Sequence, residues 1–84
     1  MISPEVVARY AADAAYEVDG VARVRKGTRV EGGEIELHLS VRWGVSIPEV
    51  GTAVQRSVGA YLERMTDSRP SVVNVVVEEV DGAP

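Results

Sequence analysis

His38 is the only histidine in the chain, and 13 Asp and Glu residues accompany it, so metal binding and acid–base catalysis are the first chemistries to test. A metal ion would need His38 to converge with carboxylates, yet no HxH, HxxE or HExxH spacing is present. A polar residue pointing outward from a strand accounts for the position without a ligand. Nucleophilic catalysis fares no better, because no serine stands in a nucleophile-elbow sequence and the serines fall at caps, turns and outward strand positions. Glu78 and Glu79 are neighbours on a segment that reads as a strand, where alternation sends them to opposite faces and removes them as an acid and base pair.

The absence of cysteine excludes disulfides, thiolate metal sites and thiol catalysis together. The 8 glycines form no GxGxxG, GxxxxGK[ST] or GxxG pattern and read as turn and cap residues. Arg23, Arg25, Lys26 and Arg29 are the one basic cluster. They could contact anionic lipid head groups or RNA, but a solvated hairpin arm is the favoured reading, since no aromatics interleave and the chain carries a net charge of -4. That sign disfavours nucleic acid, whose capture rests on counterion release by basic residues. No cofactor is expected, and the chain is expected not to be an enzyme.

The elements that would position these residues are legible from period and punctuation. Ser3, Pro4 and Glu5 give a cap, a first-turn proline and an early acid, and Val7, Tyr10, Ala11, Ala14 and Val18 recur at helical spacing. Gly20 is expected to end that helix in a left-handed conformation. From Thr28 the period becomes two: Ile35, Leu37, Leu39, Val41 and Trp43 alternate with Glu36, His38, Ser40 and Arg42. A turn at Gly32-Gly33 would set Val30 opposite Ile35 and Arg29 opposite Glu36. Val21 and Val24 start the first arm early, and Lys26 would then fall on the apolar face, so an irregularity is expected near Gly27. Trp43 is expected in the core.

Ser46, Ile47, Pro48 and Glu49 form a capping box, and Val50, Ala53, Val54, Val58, Tyr61, Leu62 and Met65 mark the buried face of a second helix that breaks between Thr66 and Pro70. The last strand runs from Val72 to Val80, with Val73, Val75 and Val77 on one face and Val72, Val76 and Val80 on the other. It is either covered on both sides or part of an exposed sheet face.

Residues 1–84 are thus expected to form a single small α+β domain in α-β-β-α-β order, with a three-stranded mixed sheet and two helices packed on one face. A chain this short buries only about 60% of its unfolded surface, which disfavours an enclosed active site. The second sheet face, left open, would show Glu36, His38, Ser40 and Arg42 beside Val72, Asn74, Val76 and Glu78. His38, Val72, Asn74 and Val76 are its candidate protein interface, because valines on an open face favour a partner. Met1 and Ile2 lead straight into Ser3, Pro4 and Glu5 without a signal-peptide pattern, and no apolar run could span a bilayer, so a cytoplasmic location without direct membrane insertion is expected.

The stretch WGVSIPEVGTAVQRSVGAYLERMTDSRPSVVNVVVEEV, from Trp43 to Val80, resembles the alkaline shock protein family of Gram-positive envelope stress response proteins. The resemblance rests on G-x-x-I-P-E at Gly44, Ile47, Pro48 and Glu49, V-Q-x-x-V at Val54, Gln55 and Val58, the Met65-Thr66 helix end, and V-N-V-x-V from Val73 to Val77. Upstream, VARYAADAAYEVDGV from Val7 to Val21 is similar to the family's first helix and its exit, while Trp43 replaces an aromatic of the tyrosine type. The resemblance implies a non-enzymatic cytoplasmic protein that gathers beneath the membrane through an integral membrane partner, self-associates into a homo-oligomer and supports cell-envelope homeostasis. Two rivals stand beside it. The element order is also that of a KH-like RNA-binding module, whose GxxG loop is missing here, and an enzyme assembled at an oligomer interface would need His38 and carboxylates from two chains.

Overall fold

The computed structural model describes residues 3–82. Its order is α1 (Pro4–Tyr16), β1 (Val21–Val24), β2 (Arg29–Glu31), β3 (Glu34–Arg42), α2 (Ile47–Thr66) and β4 (Val72–Asp81). Ser3 caps α1 by accepting from Val6 N–H, and Ser46 caps α2 by accepting from Glu49 N–H, with a proline in each first turn where its missing donor costs nothing. The first helix stops at Tyr16, before Gly20. Val18 lies outside the helix and packs against the core from the connecting turn. Gly20 does adopt positive φ (96°), but it serves the entry to β1, where a side chain would stand 2.8 Å from Val50 Cγ2.

The sheet has four strands where three were expected. The first hairpin arm is cut at Gly27 (φ 102°) into β1 and β2, which both pair antiparallel with the same edge of β3. The cut releases Lys26 to solvent, the conflict that alternation alone could not resolve. The turn at Gly32 and Gly33, both with positive φ, sets Val30 opposite Ile35 and Arg29 opposite Glu36, as the pairing of apolar with apolar and charge with charge requires. After α2 carries the chain across, β4 joins the other edge of β3 in parallel, so the sheet is mixed.

One face of this sheet holds the core. Ile35, Leu37, Leu39 and Val41 of β3 are buried beneath Ala11, Ala14 and Ala15 of α1 and Val50, Val54, Val58 and Leu62 of α2. The small residues of α1 let the helix axes approach, and Tyr10 meets Tyr61 edge-on with centroids 5.9 Å apart. Val73, Val75 and Val77 of β4 are half-buried at the margin of this layer. Trp43 is not in the core: β3 ends at Arg42, the chain turns at Gly44, and the indole is 59% exposed. Met65, also expected on the buried face of α2, is exposed in its last turn.

Candidate functional site

The face of the sheet away from the helices has two halves, and two bulges divide them. In β1 the register with β3 shifts between Val21 and Arg23, which lets Val21 and Val24 both face the helices. In β4 it shifts beside Leu39 and Ser40: Val77 pairs with Leu39 but Glu79 pairs with Ser40, leaving Glu78 as the extra residue. Ser40 therefore lies between Arg23 on one side and Glu79 on the other.

The β4 bulge overturns strict alternation for two residues. Glu78 and Glu79 both reach Arg25, which directly follows β1, Glu78 at 3.8 Å, so adjacent carboxylates share one side of the sheet. Val80 changes sides as well, since it now pairs with the core residue Val41 instead of following Val72 and Val76. The sequence held a signal for this: the half-buried valines run at odd positions 73, 75 and 77, and the next valine is at 80.

Arg25 and Arg23 reach across β3 to β4, Arg25 to Glu79 and Arg23 to Asp81 at 3.1 Å. These bridges span Ser40, which is fully buried, and its Oγ has no partner among the described residues. Beside them, His38 Nε2 lies 2.9 Å from Glu36 and Nδ1 lies 3.0 Å from Glu78. The hydrogen bonds to Glu36 and then Glu78, reinforced by their negative charge, raise the His38 pKa above its ordinary value against a smaller opposing effect of desolvation. When protonated, the imidazole can donate from both ring nitrogens and so tie β3 to β4.

The basic cluster is thus largely engaged. Arg29 pairs with Glu31 at 3.4 Å, Arg23 and Arg25 pair with β4, and Lys26 stands exposed at the break between β1 and β2. No group of three or more metal-ligating side chains with suitable placement occurs among the described residues.

The other half of the face is open and mixed, exposing two valines among polar residues, and His38 stands where the two halves meet. Val72 (42% exposed), Asn74 and Val76 (37% exposed) pair with Glu34, Glu36 and His38, so the four candidate interface residues adjoin on β3 and β4. Beyond them, the outer edge of β4 is covered by no strand among the described residues, and Gln55 of α2 donates to the Val73 carbonyl at 2.9 Å. The edge residues themselves escaped notice in the sequence, because hydrogen-bond direction has no compositional trace.

The sequence model of the alkaline shock protein family, described as having a cell envelope-related function, matches residues 29–82. YqhY of Bacillus subtilis (strain 168), itself described as uncharacterized, is 34% identical over 95 aligned positions, covering 88% of this chain and 70% of YqhY. Among solved structures, one MamM-CTD variant superposes with a TM-score of 0.70 at 24% identity, covering 92% of this chain and 98% of the other. The copper form of MamM-CTD gives a TM-score of 0.67 at 24% identity, covering 95% of this chain and 89% of that one. At that identity the likeness is one of fold. No helix among the described residues is long and apolar enough to cross a membrane.

Proposed function

The chain belongs to the alkaline shock protein family, and on that premise we propose that it is a non-enzymatic cytoplasmic protein of the envelope stress response, acting by self-association and by binding a membrane-anchored partner. The observation that carries this reading is the open half-face of the sheet, where Val72 and Val76 are exposed on a strand whose outer edge is free among the described residues. Exposed valines beside unpaired backbone groups are a surface for strand addition or face packing. The polar half argues in the same direction. His38 is held by Glu36 and Glu78 in place of a nucleophile, and Arg23 and Arg25 are spent on acids of β4, so these groups brace the sheet that presents the valines.

Sedimentation velocity of the wild-type chain and of Val76→Lys, paired with capture of an integral membrane protein from solubilised membranes, tests the reading. The wild type should associate reversibly with rising concentration, and Val76→Lys should weaken association by about tenfold or more, since it sets a charge in an apolar contact. A wild type that neither self-associates nor captures a membrane protein would overturn it.

A further inference from the structure

The sheet has two outer edges, and they differ in kind. On one side β1 and β2 span Val21–Val24 and Arg29–Glu31, interrupted at Gly27, and a short broken edge is a poor template for another strand. On the other side β4 runs for 10 residues from Val72 to Asp81.

The hydrogen bonds of β3 fix which groups of β4 are free. Arg25 N–H donates to the His38 carbonyl at 2.7 Å and Arg42 N–H donates to Gly20 O at 2.9 Å, so the even-numbered residues of β3 direct their peptide groups toward β1. Trp43 N–H donates to Asp81 O at 2.8 Å, so the odd-numbered ones face β4. In a parallel pair, a residue that faces its neighbour lies opposite one that faces away. The register of Glu34, Glu36 and His38 with Val72, Asn74 and Val76 therefore turns those three β4 residues inward and leaves the N–H and C=O of Val73, Val75 and Val77 pointing out. Gln55 sits on the Val73 carbonyl, as that direction demands.

We propose that two copies of the chain join β4 to β4, antiparallel about a two-fold axis at Val76, so that one sheet runs through the dimer. This rests on the self-association proposed above and names its contact. Outward residues must oppose outward residues, which places the axis on a residue position between Val73 and Val77. A centre at Val73, Asn74 or Val75 would require the Val73 carbonyl that Gln55 holds, and a centre at Val77 would set Val75 against Glu79, beyond the bulge. A centre at Val76 uses Val75 and Val77 alone, each exchanging N–H and C=O with the other in the second copy.

The side chains agree with that register. On the open face Val76 meets Val76 of the second copy, and Asn74 lies opposite Glu78, amide to carboxylate, while Val75 and Val77 adjoin on the helix side. Charge agrees too, which matters for a chain of net charge -4. The two Glu78 side chains stand four residues apart along the ladder, about 14 Å at ~3.4 Å per residue and beyond the screening length of about 8 Å at physiological salt.

Because the chain contains no cysteine, single thiols report the register. Val76→Cys should form a symmetric disulfide under mild oxidation, because Cα atoms in a non-hydrogen-bonded antiparallel pair lie about 4.5 Å apart. Asn74→Cys alone should not, its copies being about 14 Å apart, but mixed with Glu78→Cys it should give the crosslinked heterodimer. Val75→Pro, which removes an outward N–H and no bond to β3, should keep the circular dichroism of the wild type and sediment as a monomer. A wild-type dimer in which Val76→Cys stays reduced, or in which Asn74→Cys alone crosslinks as fast, overturns this pairing and leaves self-association standing. A wild type that is monomeric at every concentration overturns both.

Discussion

Arg25, just beyond β1, and Glu79 of β4 are ion-paired across the full width of β3. The pair exists because the β4 bulge at Glu78 turns Glu79 toward the open face, so it depends on an irregularity that ideal strand geometry would forbid. Its energetic weight is small. The side chains are 37% and 53% exposed, and solvent screens such a bridge. Glu79→Gln is expected to lower stability by about 0.5 kcal/mol or less in urea unfolding, and the loss should shrink further in high salt. A cost of several kcal/mol would mean that the bulge itself depends on this carboxylate.

His38 gives the fold a pH dependence with a definite sign. The groups that face it are Glu36 on its own strand and Glu78 on β4, with Arg25, just after β1, 3.8 Å from Glu78. Its folded pKa lies above the ordinary 6.5. A raised histidine contributes its stability fully below the unfolded pKa and loses it as pH rises through the folded pKa. The urea midpoint should therefore fall between about pH 6.5 and the folded pKa, and His38→Gln should flatten that part of the profile. As the only histidine, His38 gives one imidazole titration by NMR, which must have its midpoint above 6.5.

Gly20 is a position where the backbone and a neighbour both exclude a side chain. Its φ is 96°, and a Cβ would stand 2.8 Å from Val50 Cγ2 at the foot of α2. Gly20→Ala should destabilise the domain by about 1 to 3 kcal/mol in urea unfolding, combining left-handed strain with displacement of a buried valine. Gly44→Ala is the contrast: its φ of 91° is strained as well, but nothing lies within 4 Å of the added Cβ, so the difference between the two variants isolates the clash with Val50.

Much of this architecture could be read from local pattern, and the departures have local causes. Ser46 with Glu49, the two-residue alternation of β3, and the pairing of Val30 with Ile35 were visible because caps, period and turn chemistry act over a few residues. The break at Gly27 was visible as a conflict, Lys26 on an apolar face, but its outcome as two separate strands was not. The end of α1 before Gly20 was obscured because Val18 continues the helical spacing while packing from a turn. The union of Glu78 and Glu79 on Arg25 escaped because a bulge is settled by pairing across strands. On the candidate interface, the positions of Val72, Asn74 and Val76 beside His38 followed from alternation, whereas the outward Val75 and Val77 peptides required the register of β3.

Trp43 separates a residue that stabilises the fold from one that it displays. A buried tryptophan cut to alanine costs about 3 to 5 kcal/mol, because a large cavity opens in a packed core. Here the backbone is tied, Trp43 N–H donating to Asp81 O at 2.8 Å, while the indole is 59% exposed beyond the end of β3. Alanine keeps that backbone bond and opens little cavity. Trp43→Ala should therefore change the urea unfolding free energy by only about 0.5 kcal/mol, with far-UV circular dichroism unchanged. A loss near the value for a core residue would show that the indole is packed against the domain in solution, and would return it to the place that the alternation of β3 assigned it.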